Sequence, residues 1–147
     1  MALLFALCLS VNAQSLKSPD GELCLEFNLT PEGVPSYALA YKGEQVIKPS
    51  LLGFELTDTS AALRDLQHGF VETGSSSSSF DETWQPVWGE TGNIRNQYNE
   101  LQVNLLQSAT GREMTLRFRL YDDGLGFRYE FPEQKNLVYF VVKDEHT

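Results

Sequence analysis

Apolar and polar side chains alternate with a period of two along most of the chain. The alternation is clear at residues 23–29, 37–41, 101–105, 114–121 and 125–131. Such alternation predicts half-buried β-strands. Turn signals separate the segments, the strongest being Asp122-Asp123-Gly124, because Asp-Gly suits a hairpin turn. With further short strands near residues 45–47 and 51–57, the pattern predicts an all-β fold, a sandwich or related stacked sheets.

Four segments carry other signals. Five serines at positions 75–79 predict a flexible loop. Pro49 predicts the end of a strand, because proline cannot donate a ladder hydrogen bond. Residues 61–66 suggest one helical turn. Residues 136–143 (NLVYFVVK) are almost continuously apolar, which predicts a strand buried on both faces.

The first 13 residues (MALLFALCLSVNA) predict an export signal cleaved before Gln14. The apolar run is too short to span a bilayer, so no membrane insertion is expected. If Cys8 is removed with the signal, Cys24 remains alone and forms no internal disulfide. The remaining residues, 14–147, suit one domain, and 41% hydrophobic residues are too many for a disordered chain. The net charge of −9 argues against nucleic acid as a partner but tolerates a neutral sugar.

No catalytic motif for nucleophilic, metal or phosphate chemistry is found. One window attracts attention, because residues 84–100 combine two tryptophans, a tyrosine, three asparagines, an arginine and two glutamates. These are the side chains that bind sugars, by aromatic stacking and by planar polar groups. The other interpretation makes Trp84 and Trp88 core anchors and pairs Arg95 with Glu90 or Glu100. Composition alone favours this second interpretation.

Three segments resemble the N-terminal region of glycoside hydrolase family 97, the secreted α-glucosidases and α-galactosidases of Bacteroidetes. They are residues 84–90 (WQPVWGE), 94–101 (IRNQYNEL) and 118–132 (FRLYDDGLGFRYEFP). The resemblance implies a galactose-mutarotase-like β-super-sandwich, which we expect to be incomplete in residues 14–147. It also implies a periplasmic or cell-surface protein of a Gram-negative bacterium.

The resemblance further implies a catalytic (β/α)₈ barrel that this chain lacks. The family's catalytic carboxylates lie on that barrel, so we expect no catalytic residue and no metal ligand here. Calcium is expected only in the full-length family enzyme, with an α-linked oligosaccharide or galactoside as substrate. The candidate residues for sugar contact or for packing on the barrel all fall in the window: Trp88, Glu90, Asn96, Tyr98, Asn99 and Glu100.

Three functions remain open from the sequence. The first is the non-catalytic N-terminal domain of an α-glycosidase, which packs on the barrel and shapes its active site. The second is a free-standing carbohydrate-binding β-sandwich, and the third is an inactive truncated fragment. The sequence does not decide between glucosides and galactosides, or between inversion and retention, since the barrel makes both choices.

Overall fold

The computed structural model describes residues 13–57, 60 and 64–147. These residues form eleven β-strands: β1 (Gln14–Lys17), β2 (Leu23–Leu29), β3 (Pro35–Tyr41), β4 (Glu44–Leu51), β5 (Gly53–Leu56), β6 (Asp65–Leu66), β7 (Phe70–Trp84), β8 (Ile94–Gln107), β9 (Arg112–Leu120), β10 (Leu125–Glu130) and β11 (Val142–His146). All pairings are antiparallel. The predicted all-β class is confirmed for this part of the chain.

The strands form three sheets. The first has the order β1-β2-β3-β4, the second β10-β9-β8-β7, and the third, smaller sheet β11-β5-β6. The first two sheets pack face to face, since the rings of Phe27 on β2 and Tyr37 on β3 both contact Phe118 on β9, at centroid distances of 5.9 and 6.1 Å. The side of the second sheet that faces away from this core is called the outer face below.

Strand β9 shows how the alternating pattern builds the core. Met114, Leu116, Phe118 and Leu120 are all buried, and the residues between them point to the outer face. Val103 on the neighbouring strand β8 is likewise fully buried. Burying one such side chain contributes about 1.5–3 kcal/mol. The core face therefore holds the register that places the polar residues of β8 and β9 side by side on the outer face.

The third sheet packs on the second through aromatic contacts. The Phe54 ring lies 4.3 Å from that of Tyr129 and 5.9 Å from that of Phe131. The Tyr129 hydroxyl accepts a hydrogen bond from the Gly53 amide at 3.2 Å and donates to the His146 carbonyl at 3.3 Å. Burial raises the pKa of Tyr129, so the phenol stays neutral and joins β10 to both β5 and β11.

Two sequence predictions about strand limits are wrong. The five serines 75–79 lie inside β7, where each pairs with a residue of β8 from Val103 to Asn99. The ladder to a strongly alternating neighbour outweighs the loop-forming tendency of serine. Pro49 lies inside β4 rather than at its end. That position is tolerated because β4 is an edge strand with irregular register between residues 37 and 40 of its neighbour.

The apolar segment 136–143 is also different from its prediction. Only Val142 and Lys143 of this segment lie in a strand, β11, and the side chains of Val138 and Tyr139 are 82% and 87% exposed. Leu137 is buried and Phe140 packs against the core. The residues between them are therefore not enclosed by the described part of the chain, and they leave an apolar strip on its surface.

Two further predictions lie outside the described residues. The first is the export signal, of which only Ala13 is described. The second is the helical turn suggested at residues 61–66, of which positions 61–63 are not described. Its last two residues, Asp65 and Leu66, form strand β6 instead. In the ranges that the structure describes, no helix has the length and apolar character needed to cross a bilayer.

Candidate functional site on the second sheet

The hairpin of β7 and β8 extends well beyond the rest of the second sheet. Pairing of β8 with β9 stops at Asn99 and Leu120, whereas pairing of β7 with β8 continues to Trp84 and Ile94. Residues 80–98 thus form a two-stranded projection, called the arm, with a tip at residues 85–93. An isolated two-stranded hairpin is marginally stable in water, so the arm requires support from side chains at its base.

Aromatic stacking supplies that support. The Phe80 ring stacks on the Tyr98 ring at 5.1 Å with an interplanar angle of 20°. Tyr121, just after β9, contacts the same Tyr98 ring at 5.4 Å, and the Arg119 guanidinium lies 4.4 Å from its centroid. Tyr98 is therefore buried although it points to the outer face. Its neighbours hold the arm to the edge of the sheet.

A cross-strand ion pair adds to the arm itself. Arg95 donates from Nε to Oδ1 of Asp81 at 2.9 Å and from Nη2 to Oδ2 at 2.6 Å. The hydrogen bonds from Arg95 lower the pKa of Asp81. The pair joins β8 to β7 diagonally, one residue pair beyond the Phe80–Tyr98 stack. Both side chains are at least half exposed, so this pair contributes little to stability.

Five charged residues on the outer face form a continuous network next to the arm: Glu100, Arg117, Arg119, Arg128 and Glu130. We call it the arginine–glutamate cluster. Arg117 donates to Glu100, to both carboxylate oxygens of Glu130 at 2.8 and 3.0 Å, and to the Gln102 side-chain oxygen at 2.9 Å. Arg119 Nε donates to Glu100 at 2.7 Å, and Arg128 Nε donates to Glu130 at 2.7 Å.

The cluster changes the titration of its members. Hydrogen bonds from Arg117 lower the pKa of Glu130 to about 2, against the opposing effect of burial. Burial by itself raises the pKa of Glu100, but hydrogen bonds from Arg119 and Arg117 outweigh it, and the net shift is downward. The bonds to Glu130 and Glu100 raise the pKa of Arg117. Glu100, Glu130 and Arg117 are therefore ionised at neutral pH.

The structure divides the six predicted site residues into three groups. Asn96, Tyr98 and Glu100 alternate along β8 and share the outer face. Asn99 points to the other side, where its Nδ2 donates to the Lys17 carbonyl at 2.8 Å and joins β8 to β1. The remaining two, Trp88 and Glu90, lie in the exposed tip of the arm. No single pocket of the described residues contains all six.

The interpretation of the tryptophans as core anchors is wrong. Trp88 is 88% exposed and its neighbour Val87 is 100% exposed, and Trp84 is about half exposed at the end of β7. Arg95 pairs with Asp81 and not with Glu90 or Glu100. The reason is the length of the arm, which carries this part of the window away from the core.

Four members of the cluster were not among the site residues predicted from the sequence: Arg117, Arg119, Arg128 and Glu130. The signal for them was present, since Arg117 and Arg119 occupy the polar face of the clearest strand. The Asp122-Asp123-Gly124 turn sets the hairpin register that places Arg128 directly opposite Arg117. Like charges in that position are unfavourable unless acidic groups separate them, which points to Glu130 and Glu100 as the partners.

A shallow depression of about 160 Å³ lies at the edge of the cluster. Its lining residues are Arg117, Arg119, Tyr121, Gly126, Phe127 and Arg128. In the ranges 13–57 and 64–147, and at residue 60, no three His, Cys, Asp or Glu side chains lie close enough together to hold a metal ion.

Comparison with known proteins identifies the family. The sequence profile described as glycosyl-hydrolase 97 N-terminal matches residues 16–147. The chain belongs to this family. It is also 28% identical over 131 residues to a retaining alpha-galactosidase of Bacteroides thetaiotaomicron strain VPI-5482, covering 86% of this chain and 18% of that protein.

Solved structures agree with the sequence match. A glycoside hydrolase family 97 enzyme from Pseudoalteromonas sp. strain K8, in complex with panose, superposes with a TM-score of 0.80 at 31% identity. The same enzyme in complex with acarbose gives the same values. A beta-arabinopyranosidase superposes with a TM-score of 0.76 at 27% identity. Each comparison covers 90% of this chain but only 19–20% of the other one, so this chain spans about a fifth of its relatives' length.

Proposed function

We propose that this chain is the non-catalytic N-terminal domain of a secreted α-glycosidase. In this role it packs on a catalytic (β/α)₈ barrel and helps to shape a carbohydrate-binding active site. The observation that carries the proposal is the family match over residues 16–147, together with the similarity to about a fifth of the length of an enzyme that binds panose and acarbose. The two large sheets would then form part of a larger galactose-mutarotase-like super-sandwich.

Two exposed apolar surfaces support a packing role. One is the tip of the arm with Val87 and Trp88, and the other is the strip at Val138, Tyr139 and Val141. Exposed apolar groups that cluster in this way mark interaction sites, and tryptophan is enriched among the residues that dominate binding energy. We infer that the barrel covers the strip. The base of the arm, with Asn96, Tyr98 and Glu100, holds the tip toward the active-site entrance.

The proposed substrate class is a neutral α-linked oligosaccharide or galactoside, bound by the whole enzyme in the periplasm or at the cell surface. The support for this substrate class comes from the sugars that the relatives bind or are named for. Panose and acarbose are bound by the Pseudoalteromonas enzyme, and the Bacteroides relative is named for galactosides. Calcium would be held by the complete enzyme, through ligands that lie outside the described residues of this chain.

A chimeric enzyme tests the proposal. Residues 14–147 replace the matching segment of the Pseudoalteromonas enzyme, and hydrolysis of aryl α-glucosides is measured beside the 147-residue chain alone. We expect the chimera to be active, the enzyme without any N-terminal segment to lose activity, and the 147-residue chain to be inactive. Hydrolysis by the 147-residue chain, or full activity of the enzyme that lacks the segment, would refute the proposal.

A point substitution in the chimera tests the role of the arm. Trp88→Ala should lower kcat/KM at least tenfold without changing the melting temperature, because the side chain makes no core contact. Val46→Ala is the matched control, since Val46 is an exposed apolar residue on β4 of the first sheet. Equal kcat/KM for Trp88→Ala and the unsubstituted chimera would show that the arm tip does not contribute to the active site.

The second candidate, a free-standing carbohydrate-binding module, is favoured by the same exposed Trp84 and Trp88. Titration calorimetry of the 147-residue chain with maltose, melibiose and galactose separates the two functions. Saturable binding that Trp88→Ala abolishes would support the module. Absence of binding by the chain, together with an active chimera, would support the N-terminal domain.

A further inference from the structure

The depression beside the arginine–glutamate cluster contains a glycine that the fold does not need. Gly126 lies inside β10, opposite Arg119 on β9. It is not among the residues of positive φ, and a Cβ built on it would meet no atom within 4 Å. Glycine inside a strand weakens it and often marks a place where another molecule approaches. Since neither backbone geometry nor packing requires this glycine, we interpret it as leaving room for a ligand.

Two arginines next to Gly126 have donors available. Arg119 commits its Nε to Glu100 and also contacts Tyr121, yet its side chain is 37% exposed. A guanidinium carries five N–H donors, so several remain. Arg128 bonds only to Glu130 among the described residues, and its side chain is 60% exposed. Arg117, in contrast, is engaged by Glu100, Gln102 and Glu130 and serves as support.

The cluster holds the Arg119 guanidinium in position before any ligand arrives. Glu100 fixes its Nε at 2.7 Å, and the Tyr98 ring lies under its plane at 4.4 Å. Such preorganisation reduces the entropy that binding costs. The cluster has three arginines and two glutamates, a balance of +1 in a chain of net charge −9. The cluster therefore leaves one positive charge beside the depression that its own two glutamates do not balance.

We propose that this depression binds a carboxylate group, with Arg119 and Arg128 as its donors and Gly126 providing the space. A planar guanidinium matches a carboxylate with two parallel hydrogen bonds. The local balance of one positive charge suits a monoanion better than a phosphate dianion. The carboxylate that fits an exported glycosidase domain is that of a uronic acid. The choice of a uronic acid rests on the proposed function, whereas the carboxylate site itself lies entirely on this chain and is tested independently with acetate.

Nuclear magnetic resonance titration of the ¹⁵N-labelled 147-residue chain tests the proposal at neutral pH and constant ionic strength. Sodium glucuronate, sodium acetate, sodium phosphate and glucose are added separately, and the Gly126 amide and the Arg119 Nε–H signals are followed. We expect saturable shifts with glucuronate and acetate but none with glucose. Equal affinities for both carboxylates assign recognition to the carboxylate alone, and tighter glucuronate binding adds contacts to the sugar ring.

Substitutions locate the site. Gly126→Val should weaken glucuronate binding at least tenfold, because its side chain fills the depression while suiting a strand. Ser76→Val is the matched control, since Ser76 lies on the same outer face, opposite Gln102 and away from the depression. If Gly126→Val does not fold, Arg128→Ala replaces it, because this exposed side chain is not needed for packing. The same loss of binding is expected.

Three results would overturn the proposal. The first is binding of glucose as tight as that of glucuronate, which would show that charge is not recognised. The second is tighter binding of phosphate than of either carboxylate. The third is unchanged glucuronate binding by folded Gly126→Val or Arg128→Ala protein. Absence of any shift with both carboxylates would also contradict it.

Discussion

Replacing Glu100 by glutamine tests whether this residue holds the fold together. Glu100 is 9% exposed, and its two carboxylate oxygens accept hydrogen bonds from different arginines, Arg117 and Arg119. Glu100→Gln keeps the size of the side chain but turns one acceptor into an NH₂ donor that faces a guanidinium. One charge-assisted hydrogen bond is lost, and an uncompensated positive charge remains at the base of the arm.

The expected cost lies between two limits. Breaking a fully buried ion pair costs about 3–5 kcal/mol, whereas a hydrogen bond to a charged group contributes about 1.5–3 kcal/mol. Arg117 keeps its two bonds to Glu130, and the Arg119 side chain is 37% exposed, so water compensates part of the loss. We therefore expect the free energy of unfolding to fall by about 2 kcal/mol.

Urea denaturation followed by circular dichroism measures this change. Glu90→Gln is the matched control, because Glu90 lies in the exposed tip of the arm, and its substitution should change the free energy of unfolding by less than about 0.5 kcal/mol. If Glu100→Gln also stays within that limit, the carboxylate is not structural. The case for Glu100 as a ligand contact would then become stronger.

Three further predictions concern other parts of the chain and use the same unfolding measurement. Gly33→Ala should lower the free energy of unfolding by about 3 kcal/mol, because φ is +70° and the new Cβ would lie 2.5 Å from the Phe70 carbonyl oxygen. Gly21→Ala has φ +78° but open space around the new Cβ, so it should lower the free energy of unfolding by only about 1 kcal/mol. Equal losses for the two variants would refute the clash at Gly33. The pKa of Glu130 falls from 4.5 to about 2 on folding, so its ion pairs stabilise the fold above pH 4.5 and this stabilisation is lost as the pH falls toward 2. Because the Glu130 side chain is 31% exposed, the free energy of unfolding should fall by about 1 kcal/mol over this range. Glu130→Gln should remove that part of the pH dependence. Trp88→Ala should leave the free energy of unfolding within about 0.5 kcal/mol of the unsubstituted chain, and a larger loss would mean that the tip packs on the domain.

The regular strands could be predicted from the sequence because their cause is local. Burial of alternate side chains such as Leu116 and Phe118 is visible as a period of two, and the hairpin turn between β9 and β10 has an unambiguous signal. The serine run could not be assigned in this way. Its strand structure depends on pairing with residues 99–103 of β8, and a partner twenty or more positions away is not part of the local pattern.

The exposure of the tryptophans could not be predicted for a related reason. Aromatic residues are usually buried in a domain of this size, and no local pattern gives the length of a hairpin relative to its neighbouring strand. Only the early end of β9 leaves Trp84 and the tip beyond the three-stranded part of the sheet. The segment at Val138 shows the same limit, since an apolar run predicts burial but does not name the surface that covers it.

The base of the arm connects the fold to both proposals. Tyr98 and Glu100, which the sequence suggested as ligand contacts, are largely covered by Phe80, Arg117 and Arg119. Because a two-stranded hairpin needs such support, their first effect is to fix the direction in which the arm extends. The groups left accessible are those at the tip and those around the depression. Ligand contact by the candidate window therefore depends on its mostly exposed residues 84–95, while the buried residues at its C-terminal end, Tyr98 and Glu100, set the direction in which they extend.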